Sequence, residues 1–284
     1  QCSDGGVMKY FLSLFVILLI TASGFNAWSN STQKLNFEYK AYWGGLVIAE
    51  INSETILNSS NYEIRASYHS RGLAKIIGKM ENYTMSRGVS YKNGVYQPEY
   101  YESSGNFGKF NYKNQVTFDP KTLEVINLVQ NFELRSGTEY IPIEDNEKYG
   151  VDPMTTFLNR VMNSNFADNY SEEVKSRQFG GMFVSEQSFL CDEQKVFNYN
   201  KRSAFQGMAY GCIIDGKNIS GDIKNIDPEK KIRKGRERDD QNNRIFFGKM
   251  TGFEGTIPVY TEFPLGWGMV RIYLSDFKQT TVNE

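Results

Sequence analysis

Residues 37–51 alternate between apolar and polar side chains, and two adjacent glycines, Gly44 and Gly45, divide the segment into two arms. A period of two with one apolar face is typical of a half-buried antiparallel strand. The Gly-Gly pair supplies the positive φ angles of a tight two-residue turn. The segment therefore predicts a β-hairpin. The apolar face of its first arm carries Phe37, Tyr39, Ala41 and Trp43.

Similar strand-sized segments recur about 8–15 residues apart, separated by turn dipeptides such as Asn93-Gly94 and Asp119-Pro120. This spacing favours an antiparallel meander over βαβ units. The chain has 284 residues, 14% aromatic and 23% charged, which suits a packed domain and not a disordered chain. We therefore expect a mostly β fold, with a large, strongly curved antiparallel sheet or an incomplete barrel, as a single domain over residues 30–284.

One segment departs from the strand pattern and indicates a helix. Asp152 is a good N-cap residue, and Pro153 suits the first helical position. Apolar residues then recur at helical spacing, at Met154, Phe157, Leu158, Val161 and Met162, with Asn159, Arg160 and Asn163 on the polar side. We expect one main amphipathic helix at about 152–163 that packs on the sheet or closes its open side. The alternative is a helix that binds a partner.

The N-terminal region has the three-part pattern of a secretory signal peptide: Met8-Lys9, an apolar run at 10–20, and small residues up to Ser29. The apolar run is shorter than the about 20 residues that span a bilayer, which argues against a transmembrane anchor. We expect a cleavable signal at 8–29, a periplasmic protein, and no transmembrane segment in the mature chain. Residues 1–7 read as a mis-assigned start, so Cys2 would be absent from the mature protein.

The two remaining cysteines, Cys191 and Cys212, form an even pair in a chain predicted to be exported. Disulfides persist in oxidising compartments, and a predicted hairpin between the two residues could bring them together. The alternative is two buried free thiols. Redox chemistry is not indicated, because the C-x-x-C spacing is absent.

The net charge is −1, so no global field indicates a nucleic-acid partner. The segment 218–243 is polar and contains a basic cluster at 230–238 whose flanking acidic residues nearly cancel its charge. We expect a mobile, solvated loop there. Contact with anionic lipid headgroups is the alternative.

The sequence contains few of the residue patterns that enzymes use for catalysis. The chain contains a single histidine, His69, which any Ser–His–Asp or Cys–His catalytic set would have to use. The G-x-S-x-G motif and the His/Cys clusters of zinc sites do not occur. No spacing among the 33 acidic residues singles out a glycosidase pair. We expect no catalytic residues, no metal and no cofactor, and a hydrolase is the least favoured function.

A binding protein fits the sequence better, because a large sheet curled around a helix leaves a concave apolar surface. By fold-level analogy, periplasmic lipoprotein carriers combine an export signal, an incomplete barrel and an internal helix. We expect the protein to bind a hydrophobic ligand or lipid through aromatic side chains of the sheet. The alternative role of these aromatic side chains is to fill the core. An envelope assembly factor that acts through protein contacts is the alternative function. The candidate ligand-binding residues are Phe37, Tyr39, Trp43, Tyr62 and Tyr68.

Several motifs occur in an order that resembles the domain of unknown function 3108 family, which consists of exported proteins of Gram-negative bacteria. They are Y-x-A-Y-W-G-G-L-x-I-A at 39–49, P-E-Y-Y at 98–101, D-P-M-T-T-F-L at 152–158, a Cys before K-V-F-N-Y at 191–199, a second Cys at 212, and I-P-V-Y…P-L-G-W-G at 257–268. The resemblance covers about 35–275 and departs at 195–200 and 218–243. It implies a periplasmic, mostly β protein with a Cys191–Cys212 bond, and it supplies no catalytic residues.

Overall fold

The computed structural model describes residues 31–72, 80–107, 110–134, 136–163, 173–226, 244–265 and 268–283. Within these ranges one α-helix, α1 (Pro153–Asn163), and a short 3-10 helix (Asp145–Glu147) accompany the strands. The strands are β1 (Ser31–Trp43), β2 (Leu46–Leu57), β3 (Asn61–Ser70), β4 (Met80–Ser90), β5 (Tyr96–Phe107), β6 (Phe110–Phe118), β7 (Val125–Glu133), β8 (Thr138–Ile141), β9 (Glu173–Phe179), β10 (Val184–Phe197), β11 (Gly207–Ser220), β12 (Asp222–Asn225), β13 (Arg244–Gly248), β14 (Ile257–Leu265) and β15 (Gly268–Asn283).

Thirteen of the described strands form one antiparallel sheet in the order β7-β6-β5-β4-β3-β2-β1-β15-β14-β13-β11-β10-β9, and β8 pairs with β12 separately. The first seven strands are a meander, as the spacing of the strand-sized segments predicts. The last strand, β15, returns to pair with β1, which joins the two halves of the chain into one sheet. The predicted mostly β fold with a large antiparallel sheet and one main helix is confirmed.

The sheet curves strongly around the helix. Helix α1 contacts β4, β5 and also β9, although β9 and β5 lie near opposite ends of the strand order. Segment 148–151 spans part of the gap between β7 and β9, the two ends of the sheet. Val125 N–H of β7 donates to the Lys148 carbonyl (3.0 Å), and Phe179 N–H of β9 donates to the Val151 carbonyl (3.0 Å). The architecture is therefore an incomplete barrel with the helix inside.

The predicted hairpin is confirmed as β1 and β2. Gly44 and Gly45 have φ angles of 54° and 88°, which favour glycine. Leu35 and Phe37 of β1 pack in one core cluster with Leu158 of α1. We call the face of the sheet that carries these two side chains the inner face.

Helix α1 begins as predicted, because Oδ1 of Asp152 accepts the backbone N–H groups of Met154 (2.8 Å) and Thr155 (3.0 Å). Leu158 is buried, but Phe157, expected on the same stripe, is 37% exposed. Thr155 is buried in its place, since its hydroxyl bonds to the Asp152 carboxylate. The apolar stripe of the helix is therefore narrower than the sequence predicts.

The polar side of the helix contacts the start of β5 and the turn before it. The Asn159 amide accepts the Tyr96 N–H and donates to the Tyr96 carbonyl, both at 2.8 Å, so it pairs with the start of β5 like a short strand. Asn163 donates to the Gly94 carbonyl at 2.7 Å. These bonds fix the helix to the β4–β5 turn.

Strand β10 runs from Val184 to Phe197 and pairs with β11 along its length, with a register shift between Cys191 and Glu193. One expectation about element boundaries needs correction. Residues 218–220 and 222–225 belong to β11 and β12, so the predicted mobile loop at 218–243 begins too early. Its remaining residues 227–243, with the basic cluster, lie outside the described residues, as do residues 1–30 with the predicted signal peptide.

Cys191 and Cys212 are directly opposite each other on β10 and β11 and form a disulfide, as expected. Both cysteines are buried against Phe247. In the described part of the chain, no helix has the length and apolar character needed to cross a membrane.

Removal of this disulfide should destabilise the fold. Its partners are 21 residues apart in the sequence, and closing a loop of about this length is worth about 3 kcal/mol in the chain-entropy model. We expect the Cys191→Ala/Cys212→Ala variant, measured by urea unfolding, to match the reduced wild type. Reductant should shift the wild type and leave the variant unchanged. Equal stability of oxidised and reduced wild type would contradict this expectation.

Candidate functional site

Three rows of paired residues cross the inner face from β1 to β7. We call them the aromatic row, the small-residue row and the helix-side row. The aromatic row is Tyr39, Ile51, Tyr68, Asn82, Gly105, Tyr112 and Phe132. The small-residue row is Phe37, Ser53, Ala66, Thr84, Ser103, Asn114 and Gln130, and the helix-side row is Leu35, Thr55, Ile64, Ser86, Tyr101, Val116 and Leu128.

Small side chains of the small-residue row line a strip of the concave face beside Tyr39, Ile51 and Tyr68. We call this strip the inner groove, with a floor of Ser53, Ala66, Thr84, Ser103 and Asn114. The floor is half-buried at Ser53 and Ala66 and becomes fully buried towards Asn114. The groove therefore has an accessible end at β2–β3 and a closed end at β5–β6.

Hydroxyl and amide groups surround the closed end. Thr84 donates to Oδ1 of Asn82 at 2.9 Å, and the hydroxyl groups of Ser103 and Tyr112 are 3.3 Å apart. The Asn82 amide also donates to the Tyr112 hydroxyl. Oδ1 of Asn114, by contrast, is buried and has no hydrogen-bond partner. This atom is the unsatisfied acceptor of the groove.

The turn at 180–182 closes this end. The Gln130 amide donates to the Gly181 carbonyl at 2.8 Å, and the Tyr140 hydroxyl donates to the Met182 carbonyl at 2.9 Å. Gly181 has a φ of 85°, and a Cβ atom there would lie 2.8 Å from Cβ of Asn114. Glycine therefore allows the turn to lie directly against the floor of the groove.

The five predicted ligand-binding residues do not form one surface. Phe37 and Tyr62 are only 6% and 3% exposed and lie in the main core beneath the helix. Tyr39 and Tyr68 are half-buried and flank Ile51 in the aromatic row. Burial raises the pKa of both tyrosines, which stay neutral. Trp43 packs at the hairpin end of β1 in a cluster with Val270 and Tyr68, apart from the main core.

The apolar space between the helix and the sheet is nearly full. A cavity of about 10 Å³, lined by Phe37, Ile64, Phe157 and Val161 among others, has room for about one water molecule. Phe157 lies at its edge and is 37% exposed. A ligand body would therefore have to lie along the groove beside Phe157, because it does not fit beneath the helix.

Asp152 is completely buried beside the helix-side row. Ser86 donates to its Oδ2 at 2.9 Å, Thr155 donates to the same atom, and the Tyr62 hydroxyl bonds to the Thr155 hydroxyl. Burial raises the pKa of the Asp152 carboxyl despite these bonds. The protein's own hydroxyls enclose the carboxylate, so its role here is to cap α1 and tie it to β4.

The outer face carries the charged residues. His69 lies there, half-buried, with Glu50 and Glu81 as its cross-strand neighbours. Ion pairs such as Lys34–Glu54 (2.6 Å) cross the same surface. Two shallow troughs of about 370 and 540 Å³ are lined largely by polar and charged residues, among them Glu54, Arg65 and Arg87. No group of three or more His, Cys, Asp or Glu residues in the described part of the chain could hold a metal ion.

An aromatic part of the main core, on β10, β13 and β14, was not predicted from the sequence. Phe197 packs against Phe246 and Tyr260, and the Lys195 ammonium lies 5.2 Å from the Phe246 ring centroid and 5.8 Å from that of Tyr260. The alternation of Lys195 and Phe197 with Val196 in the sequence could have indicated that Lys195 and Phe197 share one face of a strand. It could not indicate that Phe246 of β13 and Tyr260 of β14 pack against that face, because these residues are distant in sequence from β10.

The opposite face of the same hairpin is apolar and exposed. Val196 of β10 pairs with Met208 of β11, and these two side chains are 60% and 47% exposed. Tyr199, in the connection between the strands, is 80% exposed. We call these three residues the hairpin patch.

Comparison with protein-family models found no match. Comparison with curated proteins also found none. Among solved structures, the chain is similar to a β-barrel-like protein of the domain of unknown function DUF1849 from Brucella abortus. The two are 11% identical, with a TM-score of 0.44, and the match covers 89% of this chain and 100% of the other.

Proposed function

We propose that this protein is a non-catalytic binding protein that holds a hydrophobic ligand or lipid in the inner groove. The observation that carries the proposal is the half-buried apolar wall of Tyr39, Ile51 and Tyr68 beside the small floor residues of a concave sheet. Ligand sites are typically concave and mostly apolar, with a few placed polar groups. The groove has this composition, and its polar groups lie at the closed end.

We further propose that the protein acts in the periplasm as a member of the domain of unknown function 3108 family. The signal-peptide pattern at 8–29 and the ordered motifs support this proposal. The Cys191–Cys212 disulfide agrees with an oxidising compartment. N-terminal sequencing of the protein from a periplasmic fraction tests it; a chain that keeps residues 8–29, or one found only in the cytoplasm, would contradict it.

Binding can be measured with diphenylhexatriene, a hydrocarbon that fluoresces in apolar surroundings. The wild type should bind it saturably, and Ala66→Leu should weaken binding about tenfold, or about 1.4 kcal/mol, because the larger side chain fills the floor. Ser67→Leu is the matched control, since the adjacent residue faces outward. Solvent extraction of the purified protein, followed by mass spectrometry, should identify any lipid that co-purifies.

Absence of saturable binding by the wild type would contradict the proposal. So would equal weakening by Ala66→Leu and Ser67→Leu, because only the first residue lies in the groove. Thermal unfolding of both variants checks that they remain folded.

The hairpin patch supports a second candidate, an assembly factor that contacts another envelope protein. Exposed contiguous apolar side chains often mark interaction surfaces. A photoreactive residue in place of Tyr199 should then trap a discrete adduct in the producing cells, whereas one in place of the outer-face residue Tyr83 should not. Failure to trap an adduct at Tyr199 would argue against this function.

A further inference from the structure

The inner and outer faces of β1–β7 differ completely in charge. The three inner rows contain no Asp, Glu, Lys or Arg. The outer positions of the same strands are rich in them, and include Lys34, Glu38, Glu50, Glu54, Arg65, Arg87, Glu102 and Lys113.

An ionised ligand group at the closed end would leave water without meeting an accessible countercharge, because the buried Asp152 carboxylate beside the helix-side row is already enclosed by the Ser86 and Thr155 hydroxyls. The transfer of a charge into a buried site is costly unless the charge is paired. Hydroxyl and amide groups can instead satisfy a neutral hydrogen-bonding group. The closed end of the groove therefore discriminates against both anions and cations.

Asn114 shows which kind of neutral group the groove could take. Its side chain is 2% exposed, and its Oδ1 accepts no hydrogen bond. The neighbouring groups of Thr84, Ser103 and Tyr112 are already linked to one another or to Asn82. A buried acceptor without a partner is unfavourable, and a donor supplied by a ligand would relieve it.

We propose that the ligand of the inner groove is a neutral amphipathic lipid, with an uncharged hydroxyl or amide donor that binds Oδ1 of Asn114 and an apolar chain that lies along Tyr39, Ile51 and Tyr68. This inference rests on the proposed binding function. Monoacylglycerols and long-chain alcohols have this chemistry. Fatty acids carry an anion at neutral pH, and long-chain amines carry a cation.

The choice of headgroup can be tested on the wild-type protein with ligands that share one chain. Monoolein, oleate and oleylamine should each compete with diphenylhexatriene at pH 8, below their aggregation limits. We expect monoolein to displace the probe at a concentration at least about tenfold lower than oleate or oleylamine. Displacement by oleate or oleylamine at an equal or lower concentration would overturn the inference, as would failure of monoolein to compete.

The role of Asn114 is tested by Asn114→Leu, which keeps the branched shape and removes the acceptor. It should weaken monoolein binding about fivefold more than diphenylhexatriene binding, because only the lipid has a donor that loses its hydrogen bond. Its thermal midpoint should not fall, since an unsatisfied buried group is removed. Asn111→Leu, on the outer face of the same strand, is the matched control and should change neither affinity.

The outcomes separate the two proposals. If diphenylhexatriene does not bind the wild type, the proposed binding function fails and this inference fails with it. If the hydrocarbon binds but the headgroups are not distinguished, or Asn114→Leu binds monoolein like the wild type, the binding function stands and this inference alone is wrong.

Discussion

Asp152→Ala should lower the free energy of unfolding by about 2–5 kcal/mol, among the largest effects expected of a single substitution here. Loss of the N-cap of α1 costs about 1–2 kcal/mol, and the buried hydroxyls left without an acceptor cost about 1–3 kcal/mol more. The carboxylate accepts from two backbone N–H groups and from the Ser86 and Thr155 hydroxyls. Urea unfolding with a linear extrapolation measures the change.

Asp152→Asn is the matched control, because an amide can cap the helix and pair with both hydroxyls without a buried charge. It should stay within about 1 kcal/mol of the wild type at pH 7 or exceed it, since replacement of a buried charge by a neutral group that keeps its bonds is often neutral or stabilising. A loss as large as that of Asp152→Ala would show that the negative charge itself is required.

The two proteins should also differ in their pH dependence. Burial raises the pKa of the Asp152 carboxyl above its ordinary value of 3.8. The folded state then holds this proton more tightly than the unfolded state. The wild type therefore loses stability as the pH rises from about 4 through the raised pKa, and the loss is complete above it. Asp152→Asn lacks this loss, so its advantage should grow with pH across the window. Parallel pH profiles would contradict the assignment.

Phe179→Ala should lower the free energy of unfolding by about 3–5 kcal/mol, the range for removal of a fully buried aromatic side chain. Phe179 ends β9, is 0% exposed, and packs edge to face against Phe118 at a centroid distance of 6.0 Å. Its backbone N–H also bonds to Val151, in the segment that spans the sheet ends. The cavity would therefore open where segment 148–151 spans the gap between the two ends of the sheet.

Phe183→Ala is the matched control, because this phenylalanine belongs to the connection after β9 but is 39% exposed. Its loss should cost less than about 1 kcal/mol, since substitutions at exposed positions usually have small effects. Urea unfolding of both variants compares them directly. Equal destabilisation by the two substitutions would mean that Phe179 does not hold the sheet ends together.

Much of the fold was readable from short-range patterns. Gly44-Gly45 between alternating arms predicted the β1–β2 hairpin, and Asp152-Pro153 predicted the start of α1 to the residue. The pairing of Cys191 with Cys212 followed from an even count and a hairpin between them. Each of these features depends on residues that are near one another in sequence, so the pattern contains the information.

The candidate site was only partly predictable. Of the candidate residues, Tyr39 and Tyr68 lie in the same row, on β1 and β3 with β2 between them. The polar floor from Thr84 to Asn114 was not recognised as part of the same surface. A strand with polar residues on both faces gives no sign of which face is buried. That choice depends on the helix and on the turn at 180–182, which cover the inner face from distant parts of the chain.

The sequence by itself determined the opening hairpin, the capped helix and the cysteine pair, because backbone geometry and alternation act between near neighbours. Only the tertiary structure decided that Phe37 and Tyr62 lie beneath α1, that Phe157 is partly exposed, and that segment 148–151 joins the ends of the sheet. These outcomes depend on which distant parts of the chain come into contact when the sheet curls. The burial of a side chain is set by those contacts and not by its own segment alone.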